Sequence, residues 1–279
     1  MKKVIIFTDL DETLLDYITY SFEKALPALQ LVRERDIPLI ICSSKTAKEV
    51  IFYREKIENE HPFISENGGG IFIPKSYFKS KIQSASGGQE SKIIEEGNYL
   101  VIRLGAAYAV LRKTLKELRK EGFNVRGFGD MTVQEIADTA HMDRAEAEMA
   151  KERDFDEPFT FEGTEEETRR LFEAITARGF HYTKGEFFHI LGNTDKGKAV
   201  SMLMNMYTKE FGEMTAVALG DSPNDIPMLE VVDYPILVKK PDQTYAISRN
   251  IPNLRRIDGI GSAGWNNAIF ELLLDRGDD

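Results

Sequence analysis

The chain predicts an α/β fold, a Rossmann-like parallel sheet covered by helices, with a second α+β domain inserted into it. Three observations carry that expectation. Short apolar runs alternate with amphipathic stretches, the order of a parallel sheet flanked by helices. The runs are unbroken rather than alternating, which suits strands buried on both faces. From about residue 80 to residue 189 the chain is more polar and carries helical charge patterns of its own.

Taken in order, the first strand is Val4-Ile5-Ile6-Phe7, ending in Thr8-Asp9. Residues 21–34 follow as a helix. Ile37-Pro38-Leu39-Ile40-Ile41-Cys42 is the next strand, and it ends in Ser43-Ser44. Residues 81–91, rich in Ser, Gly and Gln, read as a linker or flexible loop. Charge patterns at 114–120 and 165–177 predict helices in the middle region, and 199–207 predicts another beyond it. Thr215-Ala216-Val217-Ala218-Leu219 ends in Gly220-Asp221, and Pro235-Ile236-Leu237-Val238 is a further buried strand. Residues 264–275 read as a closing helix, with Trp265 as its anchor in the core. The expected division is a core of 1–82 and 190–279 around an inserted domain of 83–189.

The 279 residues carry 36 Lys+Arg against 46 Asp+Glu, a formal net charge of −10. Such a chain has no broad attraction to nucleic acid or to an anionic membrane, so neither is an expected partner. One cysteine, Cys42, excludes an internal disulfide framework or a Cys-rich metal centre and suits the reducing cytoplasm. No apolar run approaches the roughly 18 residues of a membrane span, and none after Lys2-Lys3 is long enough for a signal-peptide core. A cytoplasmic location is expected. Oligomeric state is not legible.

Function is written at the strand ends. In open α/β sheets, ligands bind outside the carboxyl ends of the strands. A single Asp there is ordinarily a cap or turn residue. Asp9, Ser43 and Asp221 together, on parallel neighbours, would face one crevice. Asp9 and Asp11 lie close enough to repel unless a cation or a shared proton intervenes. Gly220-Asp221-Ser222-Pro223-Asn224-Asp225 adds further oxygen donors. Carboxylate-dominated sites favour Mg²⁺, and the four histidines show no metal-ligand spacing. Lys196, in Asp195-Lys196-Gly197-Lys198 before a helix, sits where the helix dipole disfavours a cation unless an anion is bound.

Asp9-Leu10-Asp11-x-Thr13, Ser43, Lys196 and Gly220-Asp221-x-x-x-Asp225 resemble, in order, the four motifs of the haloacid dehalogenase-like phosphohydrolases. The long insert and Glu66-Asn67-Gly68-Gly69 resemble the sugar-phosphatase branch, which carries a large α/β cap. Ser43-Ser44-Lys45-Thr46, Gly127-Phe128-Gly129-Asp130-Met131-Thr132 and Asp156-Glu157-Pro158-Phe159 further resemble its phosphoglycerate-specific subfamily. The resemblance implies Mg²⁺-dependent hydrolysis of mannosyl- or glucosyl-3-phosphoglycerate to the glycosylglycerate, a compatible solute. It implies Asp9 as nucleophile, Asp11 as general acid and base, and Ser43 and Lys196 as phosphoryl ligands. Asp9, Asp11, Asp221 and Asp225 would form the metal site.

For such a substrate, Arg153, Arg126 or Lys45 could meet the glycerate carboxylate, and Glu157, Asp130 and His189 the sugar. Ser44, Asn67, Gly68 and Asn224 complete the expected binding set. Glu12 departs from the Gly common in this branch and is expected to point to solvent. A hexose-phosphate phosphatase or a phosphomutase would share the core residues. A receiver-like or other phosphate-binding signalling protein is the non-enzymatic alternative, and the long insert argues against it.

Overall fold

The computed structural model describes residues 2–79 and 92–274; the expected linker at 81–91 lies outside the described residues. In chain order the strands are β1 (Lys3–Thr8), β2 (Leu39–Cys42), β3 (Phe63–Ser65), β4 (Gly70–Pro74), β5 (Lys92–Glu96), β6 (Tyr99–Arg103) and β7 (Val125–Gly127). They continue as β8 (Asp156–Phe161), β9 (His181–Lys184), β10 (Phe188–Leu191), β11 (Met214–Gly220), β12 (Tyr234–Lys239) and β13 (Arg255–Ile260). Among the described residues, nine of them make one sheet in the order β13-β12-β11-β1-β2-β3-β4-β6-β5. From β13 to β3 that sheet is parallel; β4, β6 and β5 extend it antiparallel.

The principal helices are α1 (Leu26–Glu34), α2 (Ala47–Lys56), α3 (Tyr108–Lys120), α4 (Val133–Thr139) and α5 (Arg144–Ala150). After them come α6 (Glu165–Ala177), α7 (Lys196–Phe211), α8 (Ile226–Leu229) and α9 (Gly261–Leu274). β1 shows why the core strands are unbroken apolar runs. Ile6 packs on one face with Leu29 of α1 and Trp265 and Ile269 of α9. Ile5 and Phe7 pack on the other with Val200, Leu203 and Tyr207 of α7. Burying each such aliphatic side chain contributes roughly 1.5–3 kcal/mol. Trp265 is fully buried, and its Nε1 donates to Thr8 Oγ1 at 3.0 Å, tying the closing helix to the end of β1.

A second, antiparallel sheet runs β7-β8-β10-β9. Leu111, Leu115 and Leu118 of α3 and Leu171 and Ile175 of α6 cover it. The short helices α4 and α5 begin at capping boxes, Thr132 with Glu135 and Asp143 with Glu146, and pack around Phe128, Ile136 and Ala147. Residues 92–96 and 99–103, placed by the sequence division in the inserted domain, pair instead onto the large sheet. Val101 and Ile102 fill opposite faces of its core. The smaller unit, here called the cap, therefore starts at α3.

Candidate active site

Strand register brings the functional residues together. Thr8 at the end of β1 lies opposite Ile41 of β2 and Leu219 of β11. Asp9, Ser43 and Asp221 follow those positions by one or two residues, so all three leave the sheet at the same edge. Asp9 is buried, and Lys196 Nζ donates to its Oδ1 at 2.8 Å and to Asp225 Oδ1 at 2.6 Å. Lys196 opens α7 and is itself fully buried. Asp225 Oδ2 accepts the backbone N–H of Asp221 and of Ser222, at 2.9 and 3.0 Å. Asp221 accepts from Thr13 Oγ1 at 2.9 Å, Ser222 Oγ at 2.6 Å and Lys240 Nζ at 2.6 Å.

Burial raises the Asp9 carboxyl well above the usual range against the pull of Lys196, and neighbouring Asp225, Asp221 and Asp11 add to the rise. Burial and Asp225 push Asp221 up to about 6. Asp9, Asp221 and Asp225 each offer an oxygen within 4.8 Å of the others'. A buried set of hard oxygens crowded enough to repel one another fits a small divalent cation.

The large sheet and the cap enclose a cleft above this cluster. Its lining includes six acidic residues, Asp9, Asp11, Glu12, Glu49, Glu186 and Asp221, against Lys45 and Arg153. An anionic substrate would be repelled there without added positive charge. Asp11 stands at the cleft with Lys45 Nζ 3.1 Å from its Oδ1, and Lys45 also reaches Glu49 Oε1 at 3.4 Å. From the cap, Phe128, Pro158, Phe187 and His189 face the opening. His189 Nδ1 lies 2.8 Å from Asp156 Oδ1. Burial works against the Asp156 carboxylate, but His189, Arg153 and Asn67 outweigh it and hold its pKa below the usual range. An ionised acceptor at Asp156 fixes a donor proton on Nδ1 of the ring.

Several expected residues lie elsewhere. Ser43 is fully buried at the end of β2, its Oγ accepting the Lys45 N–H at 3.2 Å, while Ser44 and Lys45 line the cleft. Glu157 does not face the cleft. It is fully buried within the cap and accepts from Tyr108 Oη at 2.7 Å, Arg112 Nη1 at 3.1 Å and the Gly129 N–H at 3.1 Å. Asp130 pairs with Arg112 and Arg119, and Arg126 with Glu135. Those three residues are spent on the cap's own framework. Arg153 lines the cleft, but its guanidinium also donates to Ser44 O and Ala150 O, at 3.0 and 3.1 Å.

Asn67 bridges rather than faces the cleft, donating to Asp156 Oδ2 at 2.7 Å and accepting from Asn224 Nδ2 at 3.2 Å; Asn224 itself lines the opening. Gly68 takes φ +88° against Asp195. Glu12 does not point to solvent, because its Oε2 accepts from Lys240 Nζ at 2.9 Å.

Sequence reasoning missed Glu49, Asp156 and Lys240. Glu49 was signalled by the Thr46-x-x-Glu49 capping spacing, and Lys240 by its place just past the β12 strand. Asp156 stood in the quoted Asp156-Glu157-Pro158-Phe159 stretch, but its pairing with His189 had no local signal.

A parallel sheet bearing Asp9, Lys196, Asp221 and Asp225 at its carboxyl edge, with a cap over them, defines a phosphoryl-handling α/β hydrolase. The chain matches the haloacid dehalogenase-like hydrolases over residues 6–260 and belongs to that family. A glucosyl-3-phosphoglycerate/mannosyl-3-phosphoglycerate phosphatase of Methanococcoides burtonii is 46% identical over 273 residues, covering 97% of both chains. One of the same description from Persephonella marina is 41% identical, covering 98% of this chain and 99% of its own. Among solved structures, a protein of Thermoplasma acidophilum superposes with a TM-score of 0.69 at 16% identity, covering 98% of this chain and all of its own. That likeness speaks for the fold. Among the described residues, no helix is long and apolar enough to cross a membrane.

Proposed function

We propose that the chain is a Mg²⁺-dependent phosphatase that converts mannosyl-3-phosphoglycerate or glucosyl-3-phosphoglycerate to the glycosylglycerate and inorganic phosphate. The observation that carries the chemistry is the buried Lys196–Asp9 pair, set beside Asp221 under a cleft lined by both units. The substrate follows from the descriptions of relatives similar over nearly the whole chain.

An Asp9 carboxylate oxygen attacks phosphorus, forming an aspartyl-phosphate as the bond from phosphorus to the glycerate oxygen breaks. Asp11 gives its proton to that departing oxygen. Water then attacks the phosphorus and yields a proton to Asp11, and the bond to Asp9 breaks to free phosphate. Lys196 binds a phosphoryl oxygen and offsets the charge that develops there, while Ser43, buried at the end of β2, holds the loop that carries Ser44 and Lys45 to the cleft. Asp9, the Asp11 backbone carbonyl and Asp221 would hold Mg²⁺, with Asp225 behind them. The bound cation supplies the positive charge that lets a phosphate dianion approach a carboxylate.

We assign Arg153 and His189 of the cap, together with Lys45 of the loop after β2, to the glycerate carboxylate and the sugar; Ser44 and Asn224 line the same cleft from the core. Cys42 is a buried free thiol, which suits the cytoplasm.

Phosphate release from both glycosyl-phosphoglycerates and from mannose and glucose phosphates, with Mg²⁺ or with chelator, tests the reading. The glycosyl-phosphoglycerates should show the highest kcat/KM, chelation should abolish turnover, and Asp9→Asn should have none while remaining folded. A higher kcat/KM on hexose phosphates would move the assignment to a general sugar phosphatase. Isomerised phosphate esters in place of free phosphate would mark a mutase.

A further inference from the structure

Glu12 is in the left-handed region at φ +56°. A non-glycine residue there costs roughly 1–2 kcal/mol, so strain at such a place asks for a function. Its carboxylate accepts from Lys240 Nζ at 2.9 Å, and the same ammonium reaches Asp221 Oδ2 at 2.6 Å and Ser222 Oγ at 2.9 Å. Lys240 arrives there because β12 runs parallel beside β11, so the chain leaving Lys239 passes the Asp221 loop. The Lys240 side chain is 20% exposed and the Asp221 side chain 1%. One ammonium is thus shared between an oxygen of a candidate metal ligand and a strained glutamate just outside it.

We propose that Glu12 and Lys240 form a paired counter-charge that sets the affinity of the site for its divalent cation. Lys240 neutralises Asp221 in the cation-free protein and competes with the cation for that carboxylate. Glu12 offers the ammonium a second seat, which lowers the cost of giving up Asp221. A glycine at position 12 would relieve the backbone, yet it would leave Lys240 only Asp221 and Ser222 to hold. The inference rests on the reading of Asp9, Asp11 and Asp221 as the metal site.

Calorimetric titration of chelator-treated protein with MgCl₂ separates the two. Glu12→Gln should weaken Mg²⁺ binding by about three- to tenfold, because the ammonium loses its alternative partner. Glu12→Gly, which also removes the strain, should weaken it similarly, so a folding defect cannot mimic the result. Lys240→Met should tighten binding by a comparable factor, and the double variant Glu12→Gln/Lys240→Met should bind within about twofold of Lys240→Met alone, because without the ammonium Glu12 has nothing to hold. Asp221→Asn should abolish binding. Unchanged affinities in the Glu12 and Lys240 variants, or shifts of the same sign in both, would overturn the counter-charge while leaving the metal assignment intact. No Mg²⁺ binding by the parent protein would overturn both.

Discussion

Lys196 is fully buried, and its charge survives there because Asp9 and Asp225 close on the ammonium from two sides. Burial alone would strip the proton; the two carboxylates outweigh it and hold the pKa above the ordinary lysine range. Removing one partner of such a pair is costly, since the buried charges left behind have no compensation. Lys196→Met should therefore destabilise the metal-free protein by about 3–5 kcal/mol, read as a lower urea midpoint. Turnover should fall by about 10²–10³-fold, the usual loss when a transition-state charge partner is removed. Near-native turnover in that variant would return Lys196 to a structural role. Its dipole-disfavoured place at a helix start singled Lys196 out in the sequence. Asp225 was legible in its own motif, but its pairing with Lys196, from another loop across the sheet edge, could not be read locally.

The turn Glu66-Asn67-Gly68 joins three elements that never meet in sequence. The Glu66 and Asn67 N–H groups donate to Lys45 O and Ser43 O, fixing the loop after β2. Glu66 Oε2 accepts the N–H groups of Asp154, Phe155 and Asp156, anchoring the cap where β8 begins. Gly68 O accepts from Thr194 Oγ1 at 2.7 Å, and a Cβ on Gly68 would lie 2.2 Å from Asp195 O, immediately before Lys196. Gly68→Ala is thus strained in its backbone and crowded against the start of α7. It should cost about 2 kcal/mol or more by urea denaturation and lower kcat, because α7 must shift and carry Lys196 with it. Unchanged kcat would mean that this turn does not position Lys196. Arg153 shares the joining role, since its bond to Ser44 O crosses from the cap side to the core.

At the scale of the whole molecule, the cleft exists only while the large sheet stays folded, and the amino ends of its strands carry a titratable group of their own. His61 lies there, with Nδ1 2.6 Å from Tyr77 Oη, and burial with the nearby Arg54 cation pushes its pKa down to about 4. The folded protein keeps this imidazole neutral while the unfolded chain protonates it near 6.5. Stability should thus be full above pH 6.5 and fall as pH drops toward 4, by up to about 3 kcal/mol from this group. His61→Gln has no such group to titrate, so its urea midpoint should fall less between pH 7 and pH 4.5 than the parent's. Parallel declines would place the acid sensitivity in other groups.

The sequence by itself determined the parallel core, its strand ends and the four motifs on them. Each depends on local signals: unbroken apolar runs, a carboxylate pair at short spacing, and a lysine at a helix start. Only the tertiary structure decided the rest. Val101 and Ile102 proved to belong to the large sheet, because neighbouring strands rather than local polarity decide which core an edge strand completes. Glu157 turned inward to Tyr108 and Arg112, and Glu12 reached Lys240, because a charged side chain takes the partner that three-dimensional packing supplies. Those partners lie 45 to 228 residues away along the chain, beyond the reach of any local pattern.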